Sequence, residues 1–374
     1  LNSGAYQLAI TIGLLLASIV GNATSKRQDT GCYRIPIAVQ FAWAIILFGG
    51  LIILPETPRF YVKKGKHEKA ARSLSRLRRL PIDHPSIEAE LAEITANHEY
   101  EMSLGKASYI DCFKGNLGKR LATGCGLQAL QQLTGVNFIF YYGTPFFKQS
   151  GIGNGFTISL ITSCINVAST FPGLYLVEQW GRRKLLLFGA IGMAVCQLIV
   201  AGVGLEPVAN QSAQKALVAF VCIYIFFFAC SWGPCAWVVT GEIFPLKVRA
   251  KSLSMTTASN WLLNWAIAYS TPYMVDAIHT NVFWIWAGFC CVCVFFVYFF
   301  IYETKGLTLE QVDELYGKVS KAWQSEGFVP TVSFQEVQDI TGGASRNQSL
   351  ADIENTAMRK KSVTHQESTM GEKY

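Results

Sequence analysis

Eight stretches of the chain contain no Asp, Glu, Lys or Arg: 4–20, 36–54, 121–146, 156–177, 185–205, 216–240, 253–275 and 282–302. Each approaches the ~20 apolar residues that a helix needs to cross a ~30 Å hydrocarbon core. Helices of soluble proteins keep one charged, wet face; these runs have none. In lipid, backbone N–H and C=O groups must pair within their own segment, so the runs are expected as helices. The pattern predicts an all-α, polytopic membrane protein. Two polar segments, 56–120 and 303–374, separate and follow the spans, which explains a mean hydropathy of only +0.28.

Those polar segments have their own patterning. Residues 66–80 read as a basic amphipathic helix, and 86–104 as an acidic one carrying Glu88, Glu90, Glu93, Glu99 and Glu101. Asp83-His84-Pro85-Ser86 supplies turn and capping chemistry between them. The expected organisation is two helices in 1–55, a cytoplasmic helical linker in 56–120, six helices in 121–302 and a cytoplasmic tail in 303–374. The linker reads as a bundle that latches two membrane halves, or as a solvated linker whose basic part touches anionic lipid. Beyond about 316, Ser, Thr, Gln and charge dominate, and disorder is expected.

Charge sets the orientation, because Lys and Arg collect in cytoplasmic loops. Residues 59–79 hold Arg59, Lys63, Lys64, Lys66, Lys69, Arg72, Arg76, Arg78 and Arg79. Alternation then places 178–184 (Arg182, Arg183, Lys184) and 241–252 (Lys247, Arg249, Lys251) on the same side. The opposite connections at 147–155, 206–215 and 276–281 carry one Lys, one Lys and no basic residue. The loop at 21–35, with Lys26, Arg27 and Arg34, runs against the trend and is outvoted. Both chain ends are expected in the cytoplasm, at the plasma membrane. Sequons at Asn22 and Asn210 fall in loops expected outside, and the one at Asn347 falls in the tail.

The net charge of +7 lies between spans and reads as orientation, not as a nucleic-acid surface. The eleven Cys show no paired Cys/His spacing of the kind zinc requires, and most lie inside apolar runs as small hydrophobes. No nucleophile–base set, phosphate loop or cofactor motif appears, so an enzyme is not expected, and neither a metal nor a cofactor. Leu1 lies just before the first run, with no initiator Met and no signal-peptide pattern. The chain is therefore expected to be part of a longer reading frame with earlier spans.

Polar groups inside spans carry the chemistry, since hydrocarbon makes them costly unless they face a cavity. Gln128, Gln131 and Gln132 recur at i, i+3 and i+4, so one face of the third run presents three amides. Asn137 joins that face only if the helix breaks near Gly135, as discontinuous transporter helices do around substrate. Amides donate and accept, which suits a neutral polyhydroxylated ligand; interhelical glue is the other reading. The sixth run combines a Gly233-Pro234 break with Trp232 and Trp237, and the seventh carries Asn260, Trp261 and Asn264. Indoles can lie against the C–H faces of a sugar and offer one N–H. Asn166 stands alone in the fourth run.

These residues sit in motifs that resemble the sugar porters of the major facilitator superfamily. They are Pro55-Glu56-Thr57-Pro58-Arg59, the Gln131–Asn137 run with Tyr141-Tyr142, Glu178–Arg183, Gly241-Glu242-Ile243-Phe244-Pro245 with Arg249, and Glu303-Thr304-Lys305-Gly306. Together they cover residues 1 to about 316 and look most like filamentous-fungal hexose carriers. The resemblance implies a major-facilitator helical bundle with eight of twelve spans present, the first span here being the family's fifth. It implies substrate contacts from Gln7, Gln131, Gln132, Asn137, Asn166, Trp237, Asn260 and Trp261. Glu56, Arg59, Glu178, Arg182, Arg183, Glu242, Arg249 and Glu303 are expected at cytoplasmic helix ends, as a charge network that locks the inner side. Two departures stand out: Ala229 where many animal members carry Glu, and Tyr302 where Pro is usual. The implied function is alternating-access transport of a monosaccharide, glucose or another hexose, with or without protons. A sugar sensor, or a carrier of quinate, inositol or a disaccharide, is the alternative.

Overall fold

The computed structural model describes residues 2–103, 105, 108–149, 154–206, 210–319 and 321–328, and among them it holds helices and turns but no strand. The first two apolar runs become α1 (Asn2–Thr24) and α2 (Gly31–Ile53). The polar segment gives α3 (Pro58–Lys63), α4 (His67–Arg78) and α5 (Pro85–Ser103). The third run is split into α6 (Gly115–Leu133) and α7 (Val136–Gln149). Then follow α8 (Gly155–Trp180), α9 (Arg182–Val203), α10 (Gln211–Phe227) and α11 (Gly233–Glu242). The set closes with α12 (Leu246–Ile278), α13 (Val282–Phe300) and α14 (Leu309–Lys318).

Among the described residues, six helical stretches are long and apolar enough to cross a membrane, against the eight runs read from the sequence. The difference has two causes. One stretch, Leu246–Phe300, contains both α12 and α13 joined by a 3-10 turn. The other is the third run, whose break at Thr134-Gly135 leaves α6 with Lys119, Arg120 and three Gln, too polar, and α7, at 14 residues, too short to cross alone. Gly135 adopts φ +88°, and a Cβ there would lie 2.6 Å from Trp286 Cγ, so glycine serves both the turn and the close approach.

The sixth run also breaks, through a π-turn at Phe228–Trp232 that hands over to α11 with Pro234 in its first turn. Small residues let neighbouring helices press on this turn. A Cβ on Gly173 of α8 would come within 2.6 Å of the Cys230 carbonyl oxygen, and one on Gly189 of α9 would strike Ser231 Oγ. Such close backbone approach is how helices associate in lipid, where apolar burial gives no drive of its own. Around it α9 packs on α10 and α13, α6 on α12, and α1 on α8 and α11. α2 has no buried residue and exposes Phe41, Ile45, Phe48 and Leu51, a surface suited to hydrocarbon rather than water.

The linker helices α3, α4 and α5 pack on one another around Val62, Ala70, Leu74 and Ile87. Arg78 donates two bonds to the Glu90 carboxylate, 2.8 and 2.9 Å, which holds that carboxyl below its ordinary pKa. The expected cap between α4 and α5 falls to His84, whose Nδ1 accepts from the Ser86 N–H at 3.2 Å.

The expectation of disorder from about 316 needs correction within the described residues. α14 runs to Lys318, closed at its start by a Thr308–Gln311 capping box, and a 3-10 turn follows at Ala322–Gly327. Trp323 stacks on Tyr298 (5.8 Å between ring centroids) and Glu326 reaches Arg183, so specific contacts offset the polar composition. The rest of the tail, 329–374, lies outside the described residues, as does the Asn347 sequon.

Candidate functional site

A cavity of about 140 Å³ opens where α1 faces the breaks in the third and sixth runs. Of the nine residues expected there, eight line it: Gln7, Gln131, Gln132, Asn137, Asn166, Trp237, Asn260 and Trp261. The walls are amide, indole, phenol, phenyl and aliphatic, and no charged side chain is among them.

Gln128 is the exception. It is fully buried, one helical turn away from Gln131 and Gln132, and does not line the cavity. Its Nε2 donates to Thr240 Oγ1 at 3.3 Å and its Oε1 accepts from Asn260 Nδ2 at 2.7 Å. Periodicity put it on the right face, but the cavity ends about one 5.4 Å helical pitch short of it.

Asn260 is the knot of the network. Its Nδ2 donates to both Gln128 Oε1 (2.7 Å) and Gln131 Oε1 (2.9 Å), and its Oδ1 accepts from Gln132 Nε2 at 3.1 Å. Gln131 turns its own Nε2 to the Trp232 and Gly233 carbonyls, 2.9 and 3.2 Å, stapling the π-turn. Beyond the Gly135 break, Asn137 Nδ2 donates to Gln132 Oε1, and Asn264 Nδ2 donates to the same oxygen at 3.3 Å. Interhelical glue and cavity lining are thus shared among the same amides.

Several polar groups of the lining keep open valences. Asn166 is 2% exposed and its buried Oδ1 has no protein partner, an arrangement that costs free energy unless a ligand or water fills it. The Gln7 amide, Asn137 Oδ1 and Trp237 Nε1 make no hydrogen bond to protein among the described residues. Trp261, 56% exposed, stands at the rim. The other indole, Trp232, is structural: it is buried and donates to the Leu186 carbonyl at 3.0 Å. Tyr6 and Tyr141 also line the cavity and were not singled out from the sequence as site residues.

The expected charge network contracts to four of its eight members. Arg182 pairs bidentately with Glu242 (2.7 and 3.1 Å), and Thr304 donates to Glu242 at 2.7 Å. Glu303 sits at the start of α9 and accepts from the Arg182 and Arg183 backbone N–H groups at 2.9 and 3.1 Å. Gly181, at φ +91°, makes room for that carboxylate. Arg183 reaches the Tyr298 carbonyl and Glu326.

Glu56, Arg59, Glu178 and Arg249 form no ion pair among the described residues. Glu56 accepts from its neighbour's N–H, Thr57, and Arg59 and Glu178 are exposed. The network therefore ties the ends of α9, α11 and α13, and does not reach the helices before residue 60. Sequence reading missed Arg120, which is buried, pairs with Asp313 of α14 and lies over the Tyr316 ring at 4.4 Å. Nearly two hundred residues separate the two, so no local pattern signals them.

Replacing Arg182 with Ala should lower stability by about 2 kcal/mol, since it strips a mostly buried carboxylate of two charge-assisted bonds. Lys184→Ala, which loses an exposed pair, should cost about 0–1 kcal/mol. Thermal unfolding of the purified variants separates them, and equal shifts would count against the network.

A family model described as "Sugar (and other) transporter" matches residues 2–316. A major facilitator-type transporter of Aspergillus rugulosus is 63% identical over 345 residues, covering 87% of this chain and 64% of that protein. A probable glucose transporter of Neurospora crassa is 55% identical over 363 residues, covering 92% and 61%. A high glucose sensor of Saccharomyces cerevisiae is 45% identical, covering 86% and 44%. The chain thus spans about three-fifths of the length of the first two relatives. Among solved structures, the proton:xylose symporter XylE bound to 6-bromo-6-deoxy-D-glucose superposes with TM-score 0.66 at 26% identity, covering 84% of this chain and 66% of that one.

Proposed function

The chain belongs to the sugar (and other) transporter family, which is one of transporters and not of enzymes, and from that membership we propose that its cavity binds a monosaccharide for alternating-access transport. One observation carries the reading: a small cavity, free of charge, that presents unsatisfied amide and indole valences, Asn166 Oδ1 foremost. Neutral donors and acceptors without an ion match a hydroxyl-rich, uncharged ligand. D-glucose is the first candidate, in keeping with the relatives named for glucose in Neurospora and Saccharomyces. No carboxylate lines the cavity among the described residues, so this site offers no proton-coupling group of its own.

The test is uptake in a yeast lacking hexose carriers, using a hybrid in which residues 1–374 replace the matching portion of the Neurospora relative. Saturable D-glucose uptake is expected, reduced about three- to tenfold by Asn137→Ala or Trp237→Ala at equal surface expression, as the loss of one desolvated hydrogen bond implies. Unchanged uptake in both variants would leave the amides as glue alone. The sensor alternative, favoured by the 45% identity to the yeast protein, predicts glucose binding with no uptake in the same cells.

We further propose that 59–79 is cytoplasmic at the plasma membrane, from the nine basic residues it holds. Ala70 is buried in the linker, so the exposed Lys69 is the position to label. In a Cys32→Ser background, Lys69→Cys should resist an impermeant thiol reagent in intact cells and react after permeabilisation. Reaction in intact cells would reverse the orientation.

A further inference from the structure

Tyr6 lies on α1, one residue before Gln7, and faces the cavity with about half its surface exposed. Its ring meets the indole of Trp237 edge-on, with centroids 5.3 Å apart and planes at 73°. This is the favoured geometry for an aromatic pair, the positive edge of one ring on the negative face of the other. The contact joins α1 to α11, and it depends on the break in the sixth run. Gly233 leaves so little room that a Cβ there would sit 3.2 Å from Gln7 Nε2.

The hydroxyls of Tyr6 and Tyr141, which line the cavity, and of the neighbouring Tyr142 differ in what they hold. Tyr142 donates to the Ala268 carbonyl at 2.8 Å, and Tyr141 accepts from Asn264 at 3.4 Å. The Tyr6 hydroxyl makes no hydrogen bond to protein among the described residues. A phenol that is packed by its ring and open at its oxygen can fix an indole and read a ligand hydroxyl at once.

Resting on the monosaccharide reading above, we propose that Tyr6 is a specificity-determining residue: its ring sets the plane of Trp237, and its hydroxyl bonds one hydroxyl of the sugar lying against that indole. α1 then reads the same ligand as α7, α8 and α12, so recognition spans both sides of the cavity. Nothing in the hydrophobic pattern marks the position. Tyr6 is one aromatic among many at a helix start, and only the tertiary approach of α11 gives it a partner.

The hybrid carrier in the hexose-carrier-deficient yeast tests this with D-glucose and its 2-, 3-, 4- and 6-deoxy analogues. Tyr6→Phe keeps the ring and removes the oxygen. KM for D-glucose should rise about two- to tenfold with little change in maximal rate, the size of one hydrogen bond. One analogue, the one lacking the hydroxyl that Tyr6 reads, should be handicapped in the parent and lose that handicap in Tyr6→Phe. Tyr6→Leu should be worse than Phe, because the indole loses its edge contact as well. A Tyr6→Phe carrier with unchanged KM and an unchanged deoxy-sugar profile, in a parent that transports glucose, overturns the inference alone. A parent hybrid that shows no saturable uptake and no glucose binding overturns the underlying reading, and the inference with it.

Discussion

Asn260→Ala in the hybrid carrier should reduce D-glucose uptake by about a hundredfold, the equivalent of some 2.7 kcal/mol. The side chain is 3% exposed and holds three partners, Gln128 Oε1, Gln131 Oε1 and Gln132 Nε2. Truncation leaves all three buried amides without it, and each buried polar group left unpaired costs about 1–3 kcal/mol. Relaxation recovers part of that sum, since the glutamines can turn. Turning them, however, frees Gln131 from the Trp232 and Gly233 carbonyls and disturbs the π-turn that positions Trp237. Asn264→Ala, one turn further along α12, is the internal control. It loses two long bonds, 3.3 and 3.4 Å, and uptake should fall less than threefold. Rates are taken per molecule at the cell surface. An Asn260→Ala carrier within threefold of the parent would show that the amides act independently.

The second large effect concerns how much chain transport needs. Expressed alone, residues 1–374 should give D-glucose uptake no greater than empty vector, while the hybrid gives saturable uptake. The relatives are longer, with this chain spanning 61% and 64% of the two most fully described above. Alternating access rocks two helical units about one ligand. Here α6 to α13 supply most of the cavity, whereas the facing wall is α1, with α2 packed on α1 and bearing no buried residue. Among the described residues, no second six-helix unit faces a ligand held this way. Saturable uptake by residues 1–374 alone would mean that α1 and α2 suffice, and would change which helices form the pathway.

Much of this was legible because hydrocarbon penalises charge. Runs free of Asp, Glu, Lys and Arg marked the helices, and Gly135 and Gly233-Pro234 marked the breaks, since both act through local chemistry. Side-chain periodicity placed Gln131, Gln132 and Asn260 on inward faces but gave no depth, so Gln128 was expected at a cavity that stops one turn away. The charges show the same limit. Arg182, Glu242 and Glu303 meet because Gly181 lets a carboxylate approach the start of α9. Glu56, Arg59, Glu178 and Arg249 share the helix-end location without the approach, and location was all that sequence showed. Arg120 with Asp313, and Tyr6 with Trp237, are encounters between distant segments, which no window along the chain contains.

The central claim, that this cavity holds the sugar, is tested most directly by substrate protection of a thiol placed in its wall. Ile10 lines the cavity, is partly exposed and makes no polar contact, and none of the chain's own cysteines lines it. In purified Ile10→Cys hybrid carrier, the rate of modification by a small maleimide is followed with increasing D-glucose, and with L-glucose as control. D-glucose should slow modification saturably at concentrations near the uptake KM, L-glucose should not, and Asn137→Ala should shift the protection to higher concentration. Modification at one rate, with or without D-glucose, in a carrier that takes up glucose would place the sugar elsewhere.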